Sequence, residues 1–377
     1  MFDLSGDVFW FSVFLVFSLA ALIQILYYSI FYSRIPARRI PLKGGRKAPV
    51  SVIICARNEE SKLRSFLPSV LSQDYPDYEV IVVNDCSDDD SDNVLTAFEK
   101  EYPGLRVVTI HKEASLAHSK KMALFVGIKA AKNELLLLTD ADCQPCGKRW
   151  ISYMTSGFDS NTSFILGYGA YQKKKGLLNK YIRYDTLFIA MQYMGMAIAG
   201  LPYMGVGRNL AYRKSVFMEN KGFGPFIHLQ SGDDDLFINS LASGHNTKVM
   251  SDKEALTRSV PASSFAGFSK QKSRHLSTSP YYRIRSRLLL ALEPLSRVLF
   301  YLSGVLLLIF GAAWPVYLAV FLVTISFKMI IYRRVQKSLE EQDLLLISLL
   351  FDIVSPFINL YFLVLSRRNR HRAYEWK

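Results

Sequence analysis

The chain has 377 residues but only four cysteines and six histidines. Cys143 and Cys146 form a C-x-x-C pair, yet no second pair completes a four-ligand zinc site. In a domain on the cytoplasmic side of a membrane, where the charge pattern below puts it, four cysteines make no disulfide framework. His111, His118, His228 and His245 show no metal-ligand spacing and are taken as ordinary residues. No recognised nucleic-acid module accompanies the net charge of +14, so nucleic acid is not expected as a partner. Charge itself is missing from residues 8–32, a stretch long enough to cross the ~30 Å hydrocarbon core as a helix. It has neither a basic segment before it nor an obvious small-residue cleavage site. A retained anchor is therefore expected rather than a removed signal peptide.

The positive charge that is present sits beside apolar segments. Arg34, Arg38, Arg39, Lys43, Arg46 and Lys47 follow the first span. Lys270, Lys272, Arg274, Arg283, Arg285 and Arg287 precede the next apolar region; Arg333, Arg334 and Lys337 follow it. Arg367, Arg368, Arg370 and Arg372 close the chain. The positive-inside rule puts all of them, and the domain between them, on the cytoplasmic side, with the N-terminus outside. Such clusters also attract anionic lipid head groups, so membrane lipids are expected partners.

These patterns divide the chain. Residues 1–33 read as an N-terminal transmembrane anchor, 34–48 as a basic linker rich in Pro and Gly, and 49–280 as the folded domain. Residues 281–297 read as an amphipathic interfacial helix, basic on one side and leucine-rich on the other. Residues 298–332 read as a transmembrane hairpin of two short helices broken at 311–315. A single span over 343–366 would send the basic tail, 367–377, outside. Asp352 and Pro356 near its middle favour a broken or re-entrant segment with both ends cytoplasmic.

Within the domain, apolar strands at 50–56, 78–83, 105–110 and 135–138 alternate with helical spacing at 59–73, 92–102 and 116–131. Strands separated by helices imply right-handed crossovers and a mostly parallel α/β sheet of nucleotide-binding type. Four leucines at 135–138 read as a strand buried on both faces, which ends in Thr139-Asp140-Ala141-Asp142. Carboxylates at the C-terminal end of such a strand lie where open sheets place ligands. Two acids one residue apart suit a cation such as Mg²⁺ held with substrate phosphates; an Asp-rich turn is the plain alternative. Arg57-Asn58-Glu59 after the first strand and Asp85 at the end of the second fall on the same edge. Further on, Asp233, Asp234 and Asp235 precede an apolar helix. Three adjacent acids exceed what helix capping needs, and one of them acting as a general base is the sharper reading. Gln271-Lys272-Ser273-Arg274 offers donors just before the membrane, either for a leaving diphosphate or for lipid head groups.

Several segments together resemble one family. "VSVIICARNEE", "LPSVLSQDYPDYEVIVVNDCSDD", "KKMALFVGIKAAKNELLLLTDADCQP", "GVGRNLAYRKSVF", "SGDDDLFIN" and "QKSRH" occur in the order found in family 2 glycosyltransferases, inverting enzymes of GT-A fold that use nucleotide sugars. The likeness runs through most of residues 49–275 and is nearest to the membrane-anchored bacterial branch of cellulose and poly-N-acetylglucosamine synthases. It implies nucleotide-contacting roles for Ala56, Arg57, Glu59 and Asp85, with Asp85 at the base, and puts Lys121 near the ribose or phosphate. Asp140 and Asp142 resemble the D-x-D pair, with Asp142 the direct ligand of Mg²⁺ or Mn²⁺. Asp233 resembles the catalytic base, and Gln271 and Arg274 the first and fourth residues of the Q-x-x-R-W motif. Gly232 stands where the family usually has glutamate. His275 replaces the tryptophan that stacks beneath the acceptor sugar in chain-forming enzymes.

The expectation is a metal-dependent inverting transferase of the bacterial cytoplasmic membrane, moving a sugar from a UDP-sugar to a lipid or lipid-linked saccharide acceptor. A processive polysaccharide synthase, with a homo-oligomer building its channel, is the rival within the class. An inactive nucleotide-sugar sensor or scaffold is the rival outside it.

Overall fold

The computed structural model describes residues 4–37, 40–42, 47–111, 119–229, 231–311 and 313–368. Arg38, Arg39, Lys43, Arg46 and His118, the expected helix start at 116–118, and the tail from 369 with Arg370 and Arg372 lie outside the described residues. A long first helix, α1 (Leu4–Ile30), leads into the domain. There β1 (Val50–Ala56), α2 (Glu60–Leu71), β2 (Tyr78–Asp85), α3 (Ser91–Glu101), β3 (Leu105–Ile110), α4 (Lys120–Ala130) and β4 (Leu135–Asp140) alternate as the sequence pattern predicts. Then come β5 (Cys143–Pro145), α5 (Trp150–Ser156), β6 (Phe164–Leu166), β7 (Gly169–Tyr171) and α6 (Leu177–Ile198). The remainder of the domain is β8 (Leu210–Arg213), α7 (Lys214–Glu219), α8 (Asp235–Leu241), β9 (Thr247–Val249), β10 (Thr257–Ser259) and α9 (Phe265–Leu276). Three helices close the chain: α10 (Ile284–Phe310), α11 (Trp314–Ser338) and α12 (Leu345–Arg368).

The main sheet has the order β3-β2-β1-β4-β8-β6-β9, in which β1 to β4 run parallel and β8 is antiparallel to both its neighbours. Every residue of β1 is buried, and so are the four leucines of β4, because helices cover both faces. The cover is close: a Cβ on Gly127 of α4 would meet Ile53 Cγ2 at 2.7 Å, so glycine sets how tightly α4 lies on the sheet. A smaller sheet has the order β5-β10-β7, and its first strand begins three residues after β4 ends.

Two expectations for the last third are corrected. The interfacial helix and the first half of the hairpin are one helix, α10, which continues through Pro294, and the two hairpin helices are long; the break between Phe310 and Trp314 falls where the sequence puts it. Aromatic stacking packs α10 against α1 and α11, Phe300 on Phe17 at 5.3 Å and on Phe321 at 5.2 Å. Residues 343–366 are not broken: α12 runs through Asp352 and Pro356 as one helix. Asp352 needs no break to reach water, because Arg297 (3.2 Å), Tyr301 (2.6 Å) and Lys328 neutralise and bond it within the protein. Pro356 removes only one backbone donor. Among the described residues, four helices, α1, α10, α11 and α12, are long and apolar enough to cross a membrane.

The connector between α11 and α12 is locked to the domain by ions. Glu341, fully buried, pairs with Arg183 of α6 through Nε at 2.9 Å and with Arg258 of β10 at 3.0 Å, while Asp343 holds Arg183 at 2.7 Å. Removing one member of a buried pair leaves the other charged and dry, at about 3–5 kcal/mol. Glu341→Ala is thus expected to lower the thermal midpoint of the detergent-solubilised protein sharply. Adding Arg183→Met should restore part of the loss, and an unchanged midpoint in the single variant would refute the lock.

Candidate active site

The parallel crossovers deliver Ala56, Asp85 and Asp140 to one edge of the sheet, at the ends of β1, β2 and β4. The turns that follow β1 and β2 are laced together. Asn58, at φ 54°, donates its N–H to Ser87 Oγ (3.0 Å) and accepts from the Asp88 N–H (2.7 Å); the Glu59 N–H donates to Ser91 Oγ (3.2 Å). Glu59 pairs with Lys62 at 2.5 Å, and burial pushes its carboxyl up. Asp85 is buried and Arg57 half-buried beside this double turn.

Asp140 and Asp142 point into one space, where a carboxylate oxygen from each and the Cys143 thiol lie within 4.8 Å of one another. The two acids are unlike. Burial raises both, but Lys120, then Arg208 and Arg274, more than offset it for Asp140, which falls below the usual carboxylate range. Asp142 is raised by burial and then by the charge of Asp140. Ser259 Oγ donates to Asp142 Oδ2 at 2.8 Å, because β10 pairs antiparallel with β5 and sets Ser259 opposite Cys143. Burial pushes the Cys143 thiol up, so the hard oxygen atoms are the ligands on offer.

Lys120 joins these acids to the second group. Its Nζ lies 2.8 Å from Asp140 Oδ1 and 3.7 Å from Asp233 Oδ2. Lys121, the lysine expected near the ribose or phosphate, instead donates to the carbonyls of Phe226 (2.6 Å) and Leu229 (2.5 Å). Two adjacent lysines are indistinguishable by type; the helix start decides, since Ser119 caps α4 by accepting from the Met122 N–H (3.3 Å) and fixes the direction of each.

The three consecutive acids have separate tasks. Asp233 is nearly buried and faces Lys120. Asp234 caps α8, accepting from the N–H groups of Gly207 (2.7 Å) and Asp235 (2.8 Å); burial and the charge of Asp233 push it up to about 7. Asp235 turns inward and accepts from Tyr282 (2.7 Å) and Thr278, tying α8 to the start of α10. Gly232 precedes them at φ 107°, where a Cβ would lie 2.6 Å from Leu236 Cδ1. The glutamate usual in the family cannot be accommodated there.

Gln271 donates to the Tyr171 hydroxyl at 2.9 Å. Arg274 Nε and Arg208 Nη1 are buried with no hydrogen-bond partner among the described residues, and the Arg208 guanidinium lies 4.2 Å from the Tyr171 ring centre. Buried cationic donors left open beside a carboxylate pair suit an anion that arrives with a cation. Arg208, Ser259 and Lys120 escape the sequence reading. Arg208 lies within the GVGRNLAYR run, but nothing in the run marks it from Arg213, which binds the carbonyls of Asp159 and Thr162 instead.

The family model described as glycosyltransferase like family 2 matches residues 48–278, more than half of the chain. A probable glycosyltransferase, YdaM, of Bacillus subtilis is 30% identical over 209 residues, 52% of this chain and 47% of that protein. The beta-monoglucosyldiacylglycerol synthase of Trichormus variabilis is 30% identical over 97 residues, 25% of this chain and 20% of that protein. The matches thus span about half or less of the length of these curated relatives. Among solved structures, a mannosyltransferase of Pyrobaculum calidifontis in complex with GDP-Man and Mn²⁺ superposes with a TM-score of 0.56. It is 16% identical, with 90% of this chain and 97% of that chain covered, a likeness of fold.

Two outcomes follow from this geometry. Gly232→Ala should destabilise the protein by about 1–3 kcal/mol, since the left-handed backbone and the Leu236 contact both oppose a side chain; equal melting of variant and parent would refute it. For Asp234, the folded value near 7 exceeds the usual carboxylate value of about 3.9. Its contribution to stability is therefore full below about pH 4 and is lost as pH rises through 7. Asp234→Asn, neutral throughout, should show a flatter melting profile between pH 5 and 8.

Proposed function

The chain belongs to the glycosyltransferase family 2-like proteins, and from that premise we propose a metal-dependent, inverting transfer from a nucleotide sugar, UDP-linked by preference, to a lipid or lipid-linked saccharide hydroxyl. One observation carries the reading: Lys120 reaches both Asp140 and Asp233, so the carboxylate pair and the expected base share one small space. Asp140 and Asp142 fit a hard divalent cation, Mg²⁺ or Mn²⁺, by donor type and by closeness. Such an ion, when bound, supplies Lewis-acid charge against the donor diphosphate.

The residues of the chain divide the remaining work. Ser259 holds Asp142 in direction, and Lys120 keeps Asp140 ionised. Arg208 and Arg274 bring open donors to the diphosphate, where charge grows as the bond from the anomeric carbon to the phosphate oxygen breaks and its electron pair leaves. Asp233 takes the proton of the acceptor hydroxyl as its oxygen bonds the anomeric carbon from the opposite face. Ala56, Arg57, Glu59 and Asp85 frame the nucleotide at the laced turns, and Gln271 positions Tyr171 under Arg208. His275 stands where chain-forming relatives carry the acceptor-stacking tryptophan, and it is exposed, which favours single transfer over chain growth. The four apolar helices and their basic flanks favour a bacterial cytoplasmic membrane, with the domain on the cytoplasmic side. The glycolipid synthase among the relatives supports a lipid acceptor.

The direct test is nucleotide release by the purified protein across a panel of UDP- and GDP-sugars, with Mn²⁺, Mg²⁺ or chelator and added lipid acceptors. Turnover with one donor, abolished by chelator, is expected; turnover that ignores chelator would overturn the metal assignment. Asp233→Asn should lower kcat by roughly 10²–10⁴-fold with donor affinity retained. Ser259→Ala should raise the Mn²⁺ concentration needed for half-maximal rate more than it lowers the rate at saturating metal.

A further inference from the structure

By length and composition α12 is as good a membrane span as α1, α10 or α11. Its packing is different. The other three helices share a core of their own, in which Phe17, Ala20 and Ala21 of α1 meet Phe300, Tyr301 and Leu307 of α10, with Tyr317 and Phe321 of α11 against them. Among the described residues, none from α12 enters that core. Its buried rings, Phe351 and Phe362, belong instead to the larger core that runs from the α/β domain to the domain-side ends of α1 and α11, with Tyr28 and Tyr332.

Both ends of α12 are tied to the domain. Asp343, just ahead of it, pairs with Arg183 of α6 at 2.7 Å. Phe362, near its other end, is fully buried with its ring 5.6 Å from Phe268 and 5.9 Å from Phe265 of α9. α9 is itself fixed to the domain, by Lys272 on Asp185 of α6 at 2.6 Å and by Gln271 on Tyr171. From Leu345 to Phe362 the helix rises roughly 26 Å. A crossing helix would carry Phe362 about that far from the domain, toward the turn at Gly311; the ring instead lies against α9.

The outer face fits a leaflet. Leu346 (82% exposed), Leu350, Val354, Phe357, Leu360 and Val364 line it, while Asp352 faces inward on Arg297, Lys328 and Tyr301. Exposed Arg333 and Arg334 mark a head-group level on α11, and from Trp314 to Tyr332 that helix rises roughly 28 Å, close to the hydrocarbon thickness. α12 lies just above that level, since Lys328 on α11 meets Asp352.

We propose that α12 lies in the membrane surface, its apolar face sunk in the leaflet next to the domain, and that only α1, α10 and α11 cross. The proposal rests on the membrane location inferred above. Three crossings keep Arg367, Arg368, Arg370 and Arg372 on the domain's side, where the charge rule wants them; four would carry them across. An apolar helix held parallel to the surface is the monotopic arrangement. It also sets the outer side of α9, opposite the lysine and glutamine that grip the domain, beside the leaflet.

The test is thiol labelling with a membrane-impermeant maleimide in sealed cells and in lysed ones, read peptide by peptide. Native Cys146, exposed on the domain, reports the domain's side. Ala313→Cys, in the exposed turn after α10, reports the far side, and Ala373→Cys reports the tail. The expected result is labelling of the Ala313→Cys thiol in sealed cells, with Cys146 and the Ala373→Cys thiol labelled only after lysis. Labelling of the Ala373→Cys thiol together with the Ala313→Cys thiol, while Cys146 stays protected, overturns the proposal and leaves the membrane location standing. Release of the chain from membranes by an alkaline carbonate wash overturns the location itself, and the proposal with it.

Discussion

Five carboxylates crowd one edge of a buried sheet, and the rest of the site is arranged around their mutual repulsion. Asp140, Asp142, Asp233, Asp234 and Asp235 could not all remain charged in so dry a place without partners. Each has a separate solution. Lys120 answers Asp140 and Asp233; Ser259 orients Asp142; a helix N-terminus and two N–H groups take Asp234; Tyr282 and Thr278 take Asp235. The result is graded: one acid held low, others pushed up. A cation and an anion arriving together would meet paired carboxylates and open guanidinium donors a few ångströms apart.

The same need for partners organises the long apolar helices. Glu293, Arg297, Lys328 and Asp352 balance one another among α10, α11 and α12, with Gln24 of α1 bonded to the Glu293 carbonyl at 3.0 Å. Paired in this way, four charges are tolerated inside an apolar bundle and tie its helices to one another. A second ionic group, Arg183 and Arg258 with Glu341, joins the helix connector to β10, the strand that carries Ser259 to Asp142. Packing of the long apolar helices and geometry of the carboxylate pair are thereby linked through a single short strand.

Much of the fold was legible in the chain. The apolar runs of β1 to β4 and the helical spacing between them specify a parallel sheet, because strands buried on both faces leave uninterrupted hydrophobic runs. The same runs put Asp85, Asp140 and Asp142 at strand ends, and the family likeness supplied Asp233. The later part was less legible. β5, β7 and β10 are three residues each, too short to leave a periodic signal, and they are what carry Ser259 and Tyr171 into the site. Lys120 and Lys121 differ only in the angle at which a helix begins.

What the sequence determined by itself is local and chemical: which segments are strands, which are apolar enough for lipid, and which acids end which strand. Asp352 and Pro356 read locally as a break, since a charge and a missing donor each disfavour an apolar helix. The tertiary structure decided otherwise, because Arg297, Lys328 and Tyr301 come from helices distant in the chain and make the charge tolerable. It also decided which lysine serves the carboxylates, which arginines stay open, and which core the rings of α12 join. Such outcomes depend on contacts between segments far apart in sequence, and no window of neighbouring residues contains them.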